Sequence, residues 1–167
     1  MATGLEGARV ALPSDREVEV TRRFRAPRQL VYAAYTEPRL VQRWLLGPPG
    51  WTMPVCEMDV RVGGKYRWRW RSDEGGEEFG FYGEFLEVSP PARLVHVEYY
   101  DPGDLGDDMG DGAVITVTFE EKDGVTMLTS RMEFKSKEAR DAALSTGMTD
   151  GMEMSYQRLD AVLAEPS

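Results

Sequence analysis

From Arg16 to Ala26 the chain alternates, with Val18, Val20 and Phe24 set apart from Glu17, Glu19 and Arg23. A repeat of two places successive side chains on opposite faces, so this run predicts a first strand with one buried face. The period then changes. Ala26-Pro27 opens a short helix, proline being suited to the first turn, with Leu30, Val31, Ala34 and Tyr35 inward. Thr36-Glu37-Pro38 restarts a second short helix with Leu40, Val41, Trp44 and Leu45 inward, and Gly47-Pro48-Pro49-Gly50 stops it.

A long region of strands follows. Trp51 to Val62 reads as one strand, ended by Gly63-Gly64. Lys65 to Arg71 is the cleanest alternation, with Tyr66, Trp68 and Trp70 on one face and Lys65, Arg67, Arg69 and Arg71 on the other. Glu78 to Val88 is the next strand; its phase is not set by the pattern, since Gly80 and Gly83 can mark a bulge. Leu94 to Tyr100 follows, then the loop DPGDLGDDMGDG, then Ala113 to Glu120. Lys122-Asp123-Gly124 is a tight hairpin turn into Val125 to Phe134. Ser136 caps a short helix through Leu144.

The last stretch, GMTDGMEMSYQRLDAVLA from Gly147 to Ala164, is one amphipathic helix of about five turns. Met148, Met152, Tyr156, Leu159 and Leu163 stack on one face. Gly147, Gly151 and Ser155 form a small-residue row beside them. Each glycine inside a helix costs roughly 1 kcal/mol against alanine, so close approach of a backbone or a ligand is the expected compensation. Methionine adapts to irregular apolar shapes, which suits the wall of a cavity; plain packing on the sheet accounts for the same pattern. Strand, two short helices, roughly six strands joined by short turns and a long helix predict an α+β fold with a sheet of about six or seven strands. Its curved antiparallel sheet wraps around the C-terminal helix.

Composition narrows this further. A chain of 167 residues fits one domain and can bury about 70% of its unfolded surface. Residues 1–14 are expected to be a flexible tail and residues 15–167 a single domain. One cysteine, Cys56, excludes an internal disulfide and a cysteine-based zinc site, in keeping with a cytoplasmic setting. No signal-peptide core and no run of membrane-spanning length is present. A formal net charge of −9 argues against a nucleic-acid partner.

The aromatic row Tyr66, Trp68 and Trp70, with Trp44 and Trp51, is either core or cavity wall. The cationic row on the opposite face is a solvated outer face, paired to acids such as Glu84 or Glu87. Asp101, Asp104, Asp107, Asp108 and Asp111 share one loop, but a calcium loop from Asp107 would have Met109 third and Thr118 twelfth, so no metal is expected. His96, the only histidine, shares a strand face with Glu98; the pair could move a proton, or His96 is a satisfied strand histidine. No Walker loop, dinucleotide fingerprint or HExxH occurs, and no cofactor is expected.

Several segments together resemble a known family: FRAPRQLVYAAYTEPRLVQRWLLGPPG, MDVRVGGKYRWRW, GEFLEVSPPARLVHVE, TVTFEEKDGVTMLT and SKEARDAALSTGMTDGMEMSYQRL. They resemble the heat-shock-protein-90 ATPase activator homologue-like family, within the START-like, birch-pollen-allergen-like (SRPBCC) superfamily of helix-grip folds. Asp59-x-Arg61-x-Gly63-Gly64, Pro90-Pro91-x-Arg93-Leu94 and Gly147-Met148-x-x-Gly151 occur in the family's order. The chain departs at Leu45-Leu46, after Trp44, where relatives often carry a second tryptophan. The resemblance implies a cavity between sheet and helix that takes lipids, polyketides or other apolar molecules, as in the polyketide-cyclase-like relatives. A chaperone activator of this family carries an extra N-terminal domain for which this chain has no room.

The leading expectation is a binding protein for a small hydrophobic molecule, non-catalytic, lined by Trp44, Trp51, Tyr66, Trp68, Trp70, Phe81, Met132, Met148, Gly151, Met152 and Ser155. The alternatives are a cyclase or dehydratase using His96, Glu98 or Tyr99 as acid or base, and a protein-interaction or chaperone-regulating module. A homodimer is left as a further partner state.

Overall fold

The computed structural model describes residues 7–101 and 112–165. Within them lie eight strands and four helices. In chain order these are β1 (Arg9–Ala11), β2 (Glu17–Phe24), α1 (Arg28–Thr36), α2 (Pro38–Trp44), β3 (Trp51–Met58) and β4 (Lys65–Ser72). Then come β5 (Glu78–Ser89), β6 (Arg93–Asp101), β7 (Ala113–Lys122), β8 (Val125–Glu133), α3 (Lys137–Ser145) and α4 (Met148–Leu163). All eight strands form one antiparallel sheet in the order β1-β2-β8-β7-β6-β5-β4-β3. The six strands from β3 to β8 are a meander, and β2 closes against β8. The architecture is the expected α+β helix grip, with eight strands rather than six or seven. Part of the difference is β1: residues 9–11, expected in a loose tail, pair with β2 from Arg9 opposite Thr21 to Ala11 opposite Glu19.

Local chemistry explains the boundaries. Asp123 and Gly124 both take positive φ, 54° and 78°, which suits a two-residue hairpin between β7 and β8. The Ser136 side chain accepts a hydrogen bond from the Ala139 amide at 3.1 Å and caps α3. Gly147 stands at φ 81° as the residue before α4, a conformation that other residues rarely adopt. On α1 the inward positions are Val31, Tyr32 and Ala34, while Leu30 is exposed, so the helix is turned from the expected face.

The bulge in β5 is not at Gly80 or Gly83. The register shifts between Phe85 and Glu87. The two glycines serve close approach instead: a Cβ on Gly80 would lie 2.0 Å from the Trp68 carbonyl oxygen, and one on Gly83 would lie 1.8 Å from that of Val97.

Packing is uneven across the sheet. Under α1, α2 and the second half of α4, the inner side chains Val18, Val20, Phe24, Phe119 and Leu128 are sealed, together with Trp44, Tyr156 and Leu159. Trp44 packs on Tyr35 and Tyr156, and its indole N–H donates to the Ala34 carbonyl at 2.9 Å. The helix is fastened at this end by Arg22, which is buried on β2. Its guanidinium reaches Glu153 at 3.0 and 3.1 Å and Asp160 at 2.8 and 2.9 Å. Burial disfavours that cation, but the bonds to Asp160 and Glu153 outweigh it and raise its pKa. At the β4–β6 end, by contrast, Phe79, Phe81, Tyr100, Met148 and Met152 keep part of their surface accessible.

Candidate functional site

The inner face of β4, β5 and β6 is built row by row from the strand register. Met58 lies opposite Tyr66, Tyr66 opposite Gly83, Gly83 opposite Glu98 and Glu98 opposite Ala113. The next row toward the helix entry is Cys56, Trp68, Phe81 and Tyr100. The row on the other side is Phe85, His96 and Ile115. Glu98 is therefore flanked by the two smallest side chains of its row, and aromatic rings fill the rows nearby. Trp68 meets Trp70 edge-on at 6.3 Å, and Trp70 stacks on Phe79 at 5.4 Å. Phe81 lies 5.4 Å from Tyr100.

Three polar groups sit in this aromatic surround. The Tyr66 hydroxyl crosses over Gly83, donates to the Val97 carbonyl at 2.9 Å and stands 2.8 Å from His96 Nδ1. One hydroxyl proton cannot serve both contacts, and the carbonyl can only accept, so His96 donates from Nδ1 and its Nε2 is the bare nitrogen. No partner meets Nε2 among the described residues. Burial holds His96 down to about 4, so the ring is neutral at physiological pH. Glu98 has no hydrogen bond or ion pair among the described residues, and burial pushes its carboxyl up to about 7. Even so, Glu98 keeps accessible surface. The third group is the Trp68 indole: the residue is 9% exposed and its N–H is buried without a partner. Cys56 stands opposite Trp68, and burial pushes its thiol up to about 11, which leaves it unreactive.

Of the residues expected to line a cavity, this face gathers Tyr66, Trp68, Trp70 and Phe81, with Trp51 at its edge against Phe79. Met148 and Met152 pack against the same core from α4. Four others are placed elsewhere. Trp44 belongs to the sealed core, and Met132 lies between Ile115 and Val18 at 5% exposure. The Ser155 hydroxyl is taken by the Gly47 amide at 2.8 Å. Gly151 faces the loop after α2, where a Cβ would meet only Pro48 Cδ at 3.9 Å, and not a strand. Hence Gly151→Ala is expected to gain about 1 kcal/mol from helix propensity, read as a higher denaturation midpoint. A lower midpoint would mean that the loop presses on the helix there.

Among the candidate acids and bases, His96 and Glu98 share the inner face. Tyr99 does not: it stacks on Tyr82 at 5.4 Å on the outer face. The period of two that pairs His96 with Glu98 points to Tyr100, which the sequence reading passed over along with Phe79. On the outer face, Lys65 stands opposite Glu84 as expected, whereas Glu87 pairs with Arg93. Arg69 is held by Glu78 at 2.9 Å and Asp101 at 3.0 Å. A shallow depression on this side is lined by Glu57, Lys65, Arg67 and Tyr82 together with Tyr66 and Gly83 of the inner-face rows. Asp104, Asp107, Asp108 and Asp111 lie outside the described residues, among which no cluster of metal-ligating side chains forms. Nor is any described helix long and apolar enough to cross a membrane.

A family model described as Activator of Hsp90 ATPase homolog 1-like protein matches residues 25–164. The chain belongs to this family. A crystal structure of a Rhodobacter sphaeroides protein is 30% identical, with 94% of this chain and 97% of that one covered at a TM-score of 0.83. A Mycobacterium smegmatis protein is 24% identical over 98% of this chain and 99% of its own, at a TM-score of 0.82. An Aeromonas hydrophila structure described as AHSA1-like is 19% identical over 89% and 96%, at a TM-score of 0.68. A search of curated proteins finds no match. Membership of the Activator of Hsp90 ATPase homolog 1-like family agrees with the helix grip.

Proposed function

We propose that this protein binds a small, mostly hydrophobic molecule between α4 and the inner face of β4, β5 and β6. The observation that carries this is the contrast between the two ends of the sheet. One end is sealed, the Tyr32 hydroxyl being buried there without a partner; the other keeps accessible aromatic surface around an acid and an indole N–H that lack partners. A protein interior is close-packed and pairs its buried polar groups. Surface left accessible on this face suits an occupant that is apolar along its length and polar at one point. Native mass spectrometry of protein purified from its source tests this by showing whether a small molecule travels with it. Met152→Trp supplies a second test by filling the space from α4. Uptake of an environment-sensitive apolar dye should fall at least tenfold while the denaturation midpoint holds. Where no space exists, the larger ring overpacks the core and costs about 1–3 kcal/mol, and that result would overturn the proposal.

One observation favours a second reading, proton transfer on a bound substrate by a cyclase- or dehydratase-type enzyme. Glu98 lies at about 7 and His96 at about 4, so the carboxyl holds its proton at a pH where the imidazole is already bare. Such an inverted pair can supply an acid and a base side by side. Conversion of the co-purifying molecule into a new product, lost in Glu98→Gln and His96→Asn alike, would establish the enzyme; a ligand recovered unchanged would leave the binding protein.

A further inference from the structure

We infer that the occupant of the inner-face space is an apolar amine, whose cation sits among the aromatic rings against the Glu98 carboxylate. This deepens the cavity reading and rests on it. The comparison within the molecule is direct. Arg22, the buried inner-face cation, is given two carboxylates by the fold, Glu153 and Asp160. Glu98 is given no cation among the described residues. Its row neighbours are Gly83 and Ala113, and no lysine or arginine reaches across from the adjacent strands.

Among the described residues, the titratable groups that face Glu98 are His96 and Tyr100 on its own strand and Tyr66 on β4, and all three are neutral at pH 7. From β5 and β7 it meets Gly83, Phe85, Ala113 and Ile115, which carry no charge. Of the charged groups of α4, Glu153 and Asp160 are committed to Arg22 at the far end, Arg158 donates to the Gly47 carbonyl, and Asp150 in the first turn is exposed. Once ionised above about pH 7, the half-buried Glu98 carboxylate has no counter-ion among the described residues, and the aromatic rings nearby offer their negative faces to a cation. His96 Nε2 adds an acceptor for an ammonium N–H. The unpartnered N–H of Trp68 is independent evidence that the space is built for a polar occupant; it donates to an acceptor atom on the body of the amine.

Three probes of one shape separate charge from cavity: 4-phenylbutylammonium, 4-phenylbutanol and 4-phenylbutyrate, titrated by calorimetry into the full chain. The ammonium is expected to bind at least tenfold more tightly than the alcohol at pH 8, with the carboxylate weakest. Since the ammonium needs the ionised form of Glu98, its affinity should rise about tenfold from pH 6 to pH 8 while that of the alcohol stays level. Glu98→Gln should abolish both the preference and the pH dependence and keep alcohol binding. Equal binding of ammonium and alcohol, or a preference that survives in Glu98→Gln, overturns the amine and leaves the cavity standing. Failure of all three probes to bind the wild-type protein overturns the cavity as well. The wild-type pH profile decides the matter even if the variant does not fold.

Discussion

Gly83→Ala is expected to be among the most damaging single-methyl additions in this protein, with a loss of about 4 kcal/mol or more. The new Cβ would lie 1.8 Å from the Val97 carbonyl oxygen and 2.8 Å from the Tyr66 hydroxyl. Backbone on one side cannot give way without breaking the β5–β6 ladder. On the other side Tyr66 would swing out and surrender its bonds to Val97 and His96. Overpacking of a tight core costs about 1–3 kcal/mol, and each buried polar group left unpaired costs about 1–3 kcal/mol more. Gly80→Ala is the control, with the same kind of carbonyl clash, at 2.0 Å from Trp68, but no tyrosine to displace. It should be destabilised less, and should leave the His96 ring signal in a nuclear magnetic resonance spectrum unmoved. Chemical denaturation of the two variants beside wild type measures both losses. A Gly83→Ala protein as stable as wild type would mean that β5 and β6 are spaced more loosely than the register implies.

That glycine also marks where the sequence stops being informative. The alternation of β4 and β6 fixes which residues face inward, because a period of two leaves only one choice of face once Tyr66, Trp68 and Trp70 are buried. The same rule places His96 and Glu98 together, and applied strictly it excludes Tyr99 and selects Tyr100. In β5 the rule breaks down. The bulge at Leu86 shifts the phase, and nothing in leucine announces a bulge. Gly80 and Gly83 look like breakers but are needed by the neighbouring strands, a requirement that appears only when the register is known. The small row of α4 fails for a related reason. Helical spacing groups Gly151 with Ser155 but does not say what lies opposite, and the loop around Gly47 and Pro48 occupies that side. Trp44 carries the same composition signal as Trp68 and a different fate. Its N–H finds the Ala34 carbonyl, that of Trp68 finds nothing, and only three-dimensional neighbours distinguish them. The fold was legible because it rests on periods and turn residues. The site was legible only in part, because it rests on which polar groups are left without partners.

Replacing Glu98 and His96 one at a time should give stability–pH profiles that depart from wild type in opposite directions. Glu98 stands at about 7 in the folded chain against an ordinary 4.5. Between those values the folded state holds a proton that the unfolded state has released, so the contribution of Glu98 is complete below pH 4.5 and is lost as pH rises to about 7. At 1.36 kcal/mol for each pH unit the loss is about 3 kcal/mol. His96 stands at about 4 against 6.5, so here the unfolded state holds the extra proton. Its contribution is lost as pH falls from about 6.5 to about 4, again by about 3 kcal/mol. In wild type the two slopes oppose each other across nearly the same window. Relative to wild type, Glu98→Gln should therefore gain stability steadily from pH 4.5 to pH 7. His96→Asn should show its advantage at pH 4 and lose it by pH 6.5, apart from a constant offset if the bond to Tyr66 weakens. Subtraction of the wild-type curve removes what the surface ion pairs contribute. Urea denaturation at half-unit steps from pH 4 to pH 8 resolves slopes of this size. Two flat difference curves would mean that both groups meet bulk water, which would remove the enclosed space on which the ligand site depends; a single flat curve would place only that residue outside it.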